Sequence, residues 1–237
     1  MREVYGRLHS FVLVLPILMG AWGCRVSENA EQQNPVAALI TRLLGENETK
    51  RREALLEKLS SADADFRREG VLMLGEGEAA KLEATVKLLA SLAESDLEPQ
   101  VRATAIQVLA KIGSRQKLQE VLPKAIGDES KTVRMECVRT LGQQREEAFL
   151  VLLLEMLATD PEAAIRTEAA RGLGNYRYRG AIQGLIRALA EDDEFGVWYR
   201  SKESLEKLTG KNFGYDPQAW RQWFETTEQP FSDKTGE

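Results

Sequence analysis

Val101, Val133, Ile165 and Val197 stand 32 residues apart, and each follows an aspartate by five positions: Asp96, Asp128, Asp160 and Asp192. A fixed period of this length constrains the fold more than any local propensity. It calls for one supersecondary unit stacked on copies of itself, with a core running the length of the stack. Such a chain builds a long surface and does not by itself build a catalytic pocket.

The unit reads Asp, four residues, then Val-Arg-x-x-small-x-x-x-Leu. Val101-Arg102, Ala105 and Leu109 match it, as do Val133-Arg134, Cys137 and Leu141, and Ile165-Arg166, Ala169 and Leu173. Phe66-Arg67, Gly70 and Leu74 form an earlier copy, 35 residues before Val101, with three extra residues expected in the turn Gly75 to Ala80. The last copy is Val197, Ser201 and Leu205, with Trp198 where arginine stood. Apolar positions four and eight apart share one helix face, so each copy predicts a helix, and the small residue lets a neighbouring backbone come close. A second stripe follows in each unit: Leu118, Val121, Leu122 and Ala125; Leu150, Leu153, Leu154 and Leu157; Ile182, Leu185, Ile186 and Leu189. Spacings of 3, 4 and 7 again predict helix. Gly113-Ser114 and Gly174-Asn175 break the chain between stripes. Asp160-Pro161 reads as an N-cap before a first-turn proline, and Pro123 predicts a helix that starts late or kinks.

The recurring charges predict a structural ladder. Asp96, Asp128, Asp160 and Asp192 are expected to cap the helices that follow them. Arg67, Arg102, Arg134 and Arg166 are expected to reach an aspartate in the next turn or the next unit.

This pattern resembles the HEAT family in its short form, the bilin-lyase-type HEAT-like repeat, over roughly residues 35–210. The resemblance implies an all-α, right-handed solenoid of about five to six stacked antiparallel helix pairs, used mainly for protein binding. Val36 to Leu44 and Glu48 to Leu59 look like a degenerate first unit. The bilin lyases handle protein-attached tetrapyrroles, so chromophore handling is the enzymatic alternative that the resemblance raises. A purely structural spacer is a third reading.

The rest of the chain narrows the chemistry. The sole histidine is His9 and the only cysteines are Cys24 and Cys137. The body therefore lacks the commonest acid–base and metal-binding side chain, and triad catalysis and cysteine-held zinc are unavailable to it. No cofactor and no metal site are expected, and the chain is not read as an enzyme. Gly75-Glu-Gly77-Glu-Ala-Ala80 formally fits a dinucleotide fingerprint, but it follows a helical stripe, and Glu76 and Glu78 would repel a pyrophosphate. Ser114 to Lys117 and Ser204 to Lys207 fit S-x-x-K without the motifs that accompany it in acylating enzymes. Beyond residue 23 the chain holds 30 basic and 36 acidic residues, a balance that argues against nucleic acid as a partner.

The first residues differ in kind. Arg2 and Arg7 precede an apolar run from Phe11 to Met19, too short to span a bilayer, and the run leads to Gly20-Ala21-Trp22-Gly23-Cys24. Gly23-Cys24 resembles the lipobox of bacterial lipoproteins, which implies lipidation of Cys24; ordinary cleavage after Gly23 and an uncleaved anchor are the alternatives. Arg25 is not an inner-membrane retention signal of the aspartate type, which favours the outer membrane. The expected organisation is an export signal over 1–23, anchor and polar tether over 24–34, repeats over 35–210, a capping helix over 211–228 and a frayed tail over 229–237. Cys137, at a small core position, is expected to be unpaired.

Two aromatic and basic segments stand out as candidate partner contacts: Tyr176, Arg177, Tyr178 and Arg179 in a turn, and Trp198 and Arg200 in the last repeat. Packing against the C-terminal tail is the competing explanation for both. In that tail Asp216-Pro217 starts a helix whose Trp220, Trp223 and Phe224 share a face, read as the cap of the stack or as a ligand platform. The functional expectation is an exported, lipid-anchored scaffold that binds another protein at the cell envelope, facing the periplasm and touching the membrane only through its lipid.

Overall fold

A computed structural model of the chain describes residues 49–231; the expected export signal, Cys24, the expected tether and the start of the expected degenerate first unit lie outside them. The described residues form eleven α-helices and one 3-10 turn, and no strand. We number them α1 (Thr49–Leu59), α2 (Ala64–Leu74), α3 (Glu83–Ser95), α4 (Pro99–Lys111), α5 (Arg115–Ala125), α6 (Lys131–Gln144), α7 (Glu147–Thr159), α8 (Ala163–Leu173), α9 (Arg179–Glu191), α10 (Phe195–Thr209) and α11 (Pro217–Thr226). The extra residues between the first two full repeats contribute a 3-10 turn at Glu78–Lys81, entered through Gly77 at φ 69°.

The helices form two layers. The Val-Arg helices α2, α4, α6, α8 and α10 each pack on the next, the second-stripe helices α3, α5, α7 and α9 back them, α11 packs on α9, and α1 leads the stack. The core is the set of periodic residues: Val101, Val133 and Val197 are fully buried, as are Leu118, Val121 and Leu122 of the second stripe. The small position faces the preceding helix at Gly70 and at Cys137. A Cβ on Gly70 would lie 2.8 Å from Leu59, and the Cys137 thiol sits 3.6 Å from the Leu122 carbonyl. Burial raises the Cys137 thiol well above its ordinary range, which keeps it protonated and inert.

Two Val-Arg helices meet at paired glycines. A Cβ on Gly142 would lie 2.9 Å from the Gly172 Cα, and one on Gly172 would lie 3.1 Å from the Gly142 Cα. Contact along this layer is denser than along the second layer. A two-layer stack with unequal spacing bends toward the tighter layer, so the outward face of the Val-Arg helices is concave.

Several local expectations change. Helix α8 begins at Ala163 with Glu162 as its N-cap residue, so Pro161 lies in the joint and not at the first helical position. Helix α5 starts on time at Arg115 and carries Pro123 in its last turn, where its missing N–H interrupts little before the helix ends at Ala125. Of the expected frayed tail only 229–231 are described, where Pro230 is buried and Arg177 lies 5.1 Å over the Phe231 ring.

Candidate functional site

The joints between units carry the strongest polar geometry. Arg67, Arg102, Arg134 and Arg166 each donate through two nitrogens to the carboxylate of Asp96, Asp128, Asp160 and Asp192 in turn, at 2.7–3.3 Å. The third nitrogen of Arg102, Arg134 and Arg166 donates to the backbone carbonyl of the aspartate at the arginine's own joint, at 2.8, 3.0 and 2.9 Å. Each of these guanidiniums therefore clasps two successive joints, a use of the planar fork that lysine could not reproduce.

The aspartates are not the N-caps the sequence suggested. Their Oδ1 atoms accept from the N–H two residues on, of Glu98, Ser130, Glu162 and Glu194, and these residues are the ones at the N-cap position. The aspartate closes a tight turn one step before the helix, which frees its carboxylate to face the incoming arginine. Burial opposes ionisation of Asp128 and Asp192. The Arg102 and Arg166 guanidiniums and the turn N–H groups outweigh it, so both carboxyls are held below their ordinary range.

Trp198 ends the ladder. Its indole N–H donates to the Asp192 carbonyl at 2.6 Å, the bond that arginine makes in the earlier units, and it offers no charge to a next joint. Tyr176 is fully buried and its hydroxyl donates to the Leu141 carbonyl at 2.5 Å, with burial raising its phenol above the ordinary range. It is a core residue, unavailable to a partner. Arg179 clasps the tail: it lies 4.2 Å over Phe224 and donates to the carbonyls of Phe224, Thr227 and Glu228. Tyr178 is half-buried against Tyr176, and Arg177 covers Phe231. Of the six proposed contacts only Arg200 presents its side chain on the concave face, where it pairs with Glu203 at 2.5 Å.

The concave face holds residues that residue type alone does not single out. The third and sixth positions after each repeat valine point outward: Thr104 and Gln107, Glu136 and Arg139, Glu168 and Arg171, Arg200 and Glu203. Arg171 donates to Glu168 at 2.8 Å, and Arg139 stands 3.9 Å from Glu136 and 4.0 Å from Glu168. A groove of about 460 Å³ runs across this face, bordered by Gln100, Thr104, Gln107, Met135, Glu136 and Arg139. Burial raises the Glu136 carboxyl, Arg139 pulls it back, and Glu168 adds to the rise. The detectable signal was the repeat register itself, because residues at one phase of a solenoid line up into a surface row.

The model of HEAT repeats matches residues 52–130, 86–171 and 118–206, more than half of the chain. The chain belongs to the HEAT-repeat family. A HEAT-like architecture also appears among solved structures: the Escherichia coli protein YibA is 19% identical with a TM-score of 0.55, over 78% of this chain and 77% of that one. An engineered protein is 20% identical with a TM-score of 0.47, over 73% of this chain and 96% of that one. No curated protein matches the chain. HEAT repeats commonly mediate protein–protein contact, and the HEAT fold is generally a scaffold. Among the described residues no cluster of His, Cys, Asp or Glu is arranged to hold a metal, and no helix is long and apolar enough to cross a membrane.

Proposed function

We propose that this chain is an exported, lipid-anchored HEAT-repeat protein whose concave face docks another protein of the cell envelope. The observation that carries the docking is the pair of outward rows on the Val-Arg helices, which set uncharged polar residues at Thr104 and Gln107 beside an ion-paired strip at Glu136, Arg139, Glu168 and Arg171. A rigid two-layer stack holds these side chains at fixed spacing, so a partner binds without ordering the surface first. Mixed charge of this kind favours register and partner choice over raw affinity. Export and anchoring rest on Phe11 to Cys24, with residues 25–34 as the tether that lifts the solenoid off the membrane, facing the periplasm from the outer membrane.

The test has two arms. Mass spectrometry of the mature protein is expected to show a lipid-modified N-terminal Cys24; an N-terminus at Met1 would sink the anchoring. Photo-crosslinkers placed at Gln107 and Arg171 in cells are expected to give one discrete adduct that a crosslinker at exposed Val151 on the second layer does not give, and that charge reversal of Arg139 and Arg171 removes. Equal adducts from both faces would overturn the docking assignment.

A further inference from the structure

Among the described residues, the last Val-Arg helix has a flank on which no further Val-Arg helix packs and which only Tyr215 of the following loop reaches. Along the stack α4, α6 and α8 each receive the next Val-Arg helix on the side to which their arginine points, but α11 packs on α9 and leaves that side of α10 open. Trp198 marks the side, and positions three before and four after it, Phe195 and Lys202, share it. Phe195 is 62% exposed, Tyr199 40% and Tyr215 45%. The three rings form one patch, with centroids 6.3 Å apart for Phe195–Tyr199 and 5.9 Å for Phe195–Tyr215. Lys202 lies 5.7 Å from the Tyr215 ring and Arg200 5.7 Å from the Tyr199 ring. Tyrosine, phenylalanine and arginine grouped in this way are the residues that interface cores favour.

We propose that this end of the solenoid binds the same end of a second copy, tail to tail about a two-fold axis. Three observations select this occupant. First, the flank continues an interface the molecule already uses between its own units, so it has the shape of a helix seat. Second, a further unit built like those that begin at Asp96, Asp128, Asp160 and Asp192 would not fit it, because each of these joints brings an aspartate that an arginine meets. Trp198 has its one N–H committed to Asp192, and an arriving carboxylate would be desolvated without a counter-charge. The end of a second copy brings no such aspartate, since Asp192 is already held by Arg166. Third, the charges nearest the patch are paired within the molecule, Arg200 with Glu203, Lys202 with Glu206 and Asp193 with Arg166, which confines repulsion between two copies to Glu194. A two-fold contact requires such a self-complementary patch. Asp193 and Glu194, both exposed beside Phe195, weigh against a nucleic acid or an anionic lipid surface as the occupant.

Sedimentation velocity of the full-length chain in detergent micelles, over a concentration series, tests the proposal. The expected result is a monomer–dimer equilibrium that Phe195→Glu combined with Tyr215→Glu weakens by at least about tenfold. Thermal melting should stay unchanged, because those rings are exposed. In membranes, Tyr199→Cys is expected to give a disulfide-linked dimer on oxidation, and a cysteine at Val151 is not. A wild-type chain that stays monomeric throughout would overturn the proposal, as would a dimer that the double variant does not weaken. Either failure would leave the concave-face crosslinking test untouched.

Discussion

Asp128 accepts two hydrogen bonds from Arg102 of the preceding unit, each at 2.8 Å, while its Oδ1 also accepts from the Ser130 N–H at 2.8 Å. With 14% of the Asp128 side chain and 8% of the Arg102 side chain exposed, the pair sits in the joint and not on the surface. It is therefore unlike an exposed ion pair, whose net contribution is small.

Asp128→Ala strands the Arg102 guanidinium without its counter-charge. The expected destabilisation is about 3 kcal/mol, well above the roughly 1 kcal/mol that loss of a simple helix cap would cause. Urea unfolding followed by circular dichroism separates the two, and a loss confined to the smaller figure would show that the ladder adds nothing beyond local turn closure.

Acid should weaken the stack through the same joints. Asp128 and Asp192 are held below their ordinary range in the folded chain, so they bind protons more readily when unfolded. Their contribution is complete above about pH 4, the unfolded carboxyl value, and is lost as pH falls through the lower folded values. The urea midpoint is expected to fall below about pH 4. In Asp128→Asn, which carries no charge to neutralise, the slope of that fall should be shallower; equal slopes would dissociate the ladder from acid sensitivity.

Gly142→Ala places a methyl group 2.9 Å from the Gly172 Cα, a backbone atom that cannot swing aside. The two concave-layer helices α6 and α8 must separate, at a cost of about 1–3 kcal/mol. A melting temperature matching the parent would mean that the crossing tolerates a wider spacing.

Ser201 fills the position that Ala105 and Ala169 occupy in earlier units, fully buried, and its hydroxyl has no hydrogen-bond partner. Ser201→Ala removes that unsatisfied group and is expected to raise stability by about 1 kcal/mol, seen as a melting temperature a few degrees higher. A lower melting temperature would show that the hydroxyl is satisfied in solution.

Two different kinds of signal decided what could be read in advance. Val101, Val133 and Ile165 repeat with their arginines and small residues, so period alone established the helix pairs, the stacking and the membership of the core, because burial between identical neighbours imposes identical patterns. Composition disposed of histidine and cysteine-cluster chemistry for the same elementary reason, since those side chains are nearly lacking from the chain. The partner contacts went differently. Tyr176 and Arg179 stood out as aromatic and basic, yet one is sealed in the core and the other grips the tail. Residue type reports what a side chain can do, whereas its neighbours decide which of those options is already taken. The concave row of Glu136, Arg139, Glu168 and Arg171 and the ring patch of Phe195, Tyr199 and Tyr215 emerge only when the layers curve and the stack stops, because those are relations between units and no single unit encodes them.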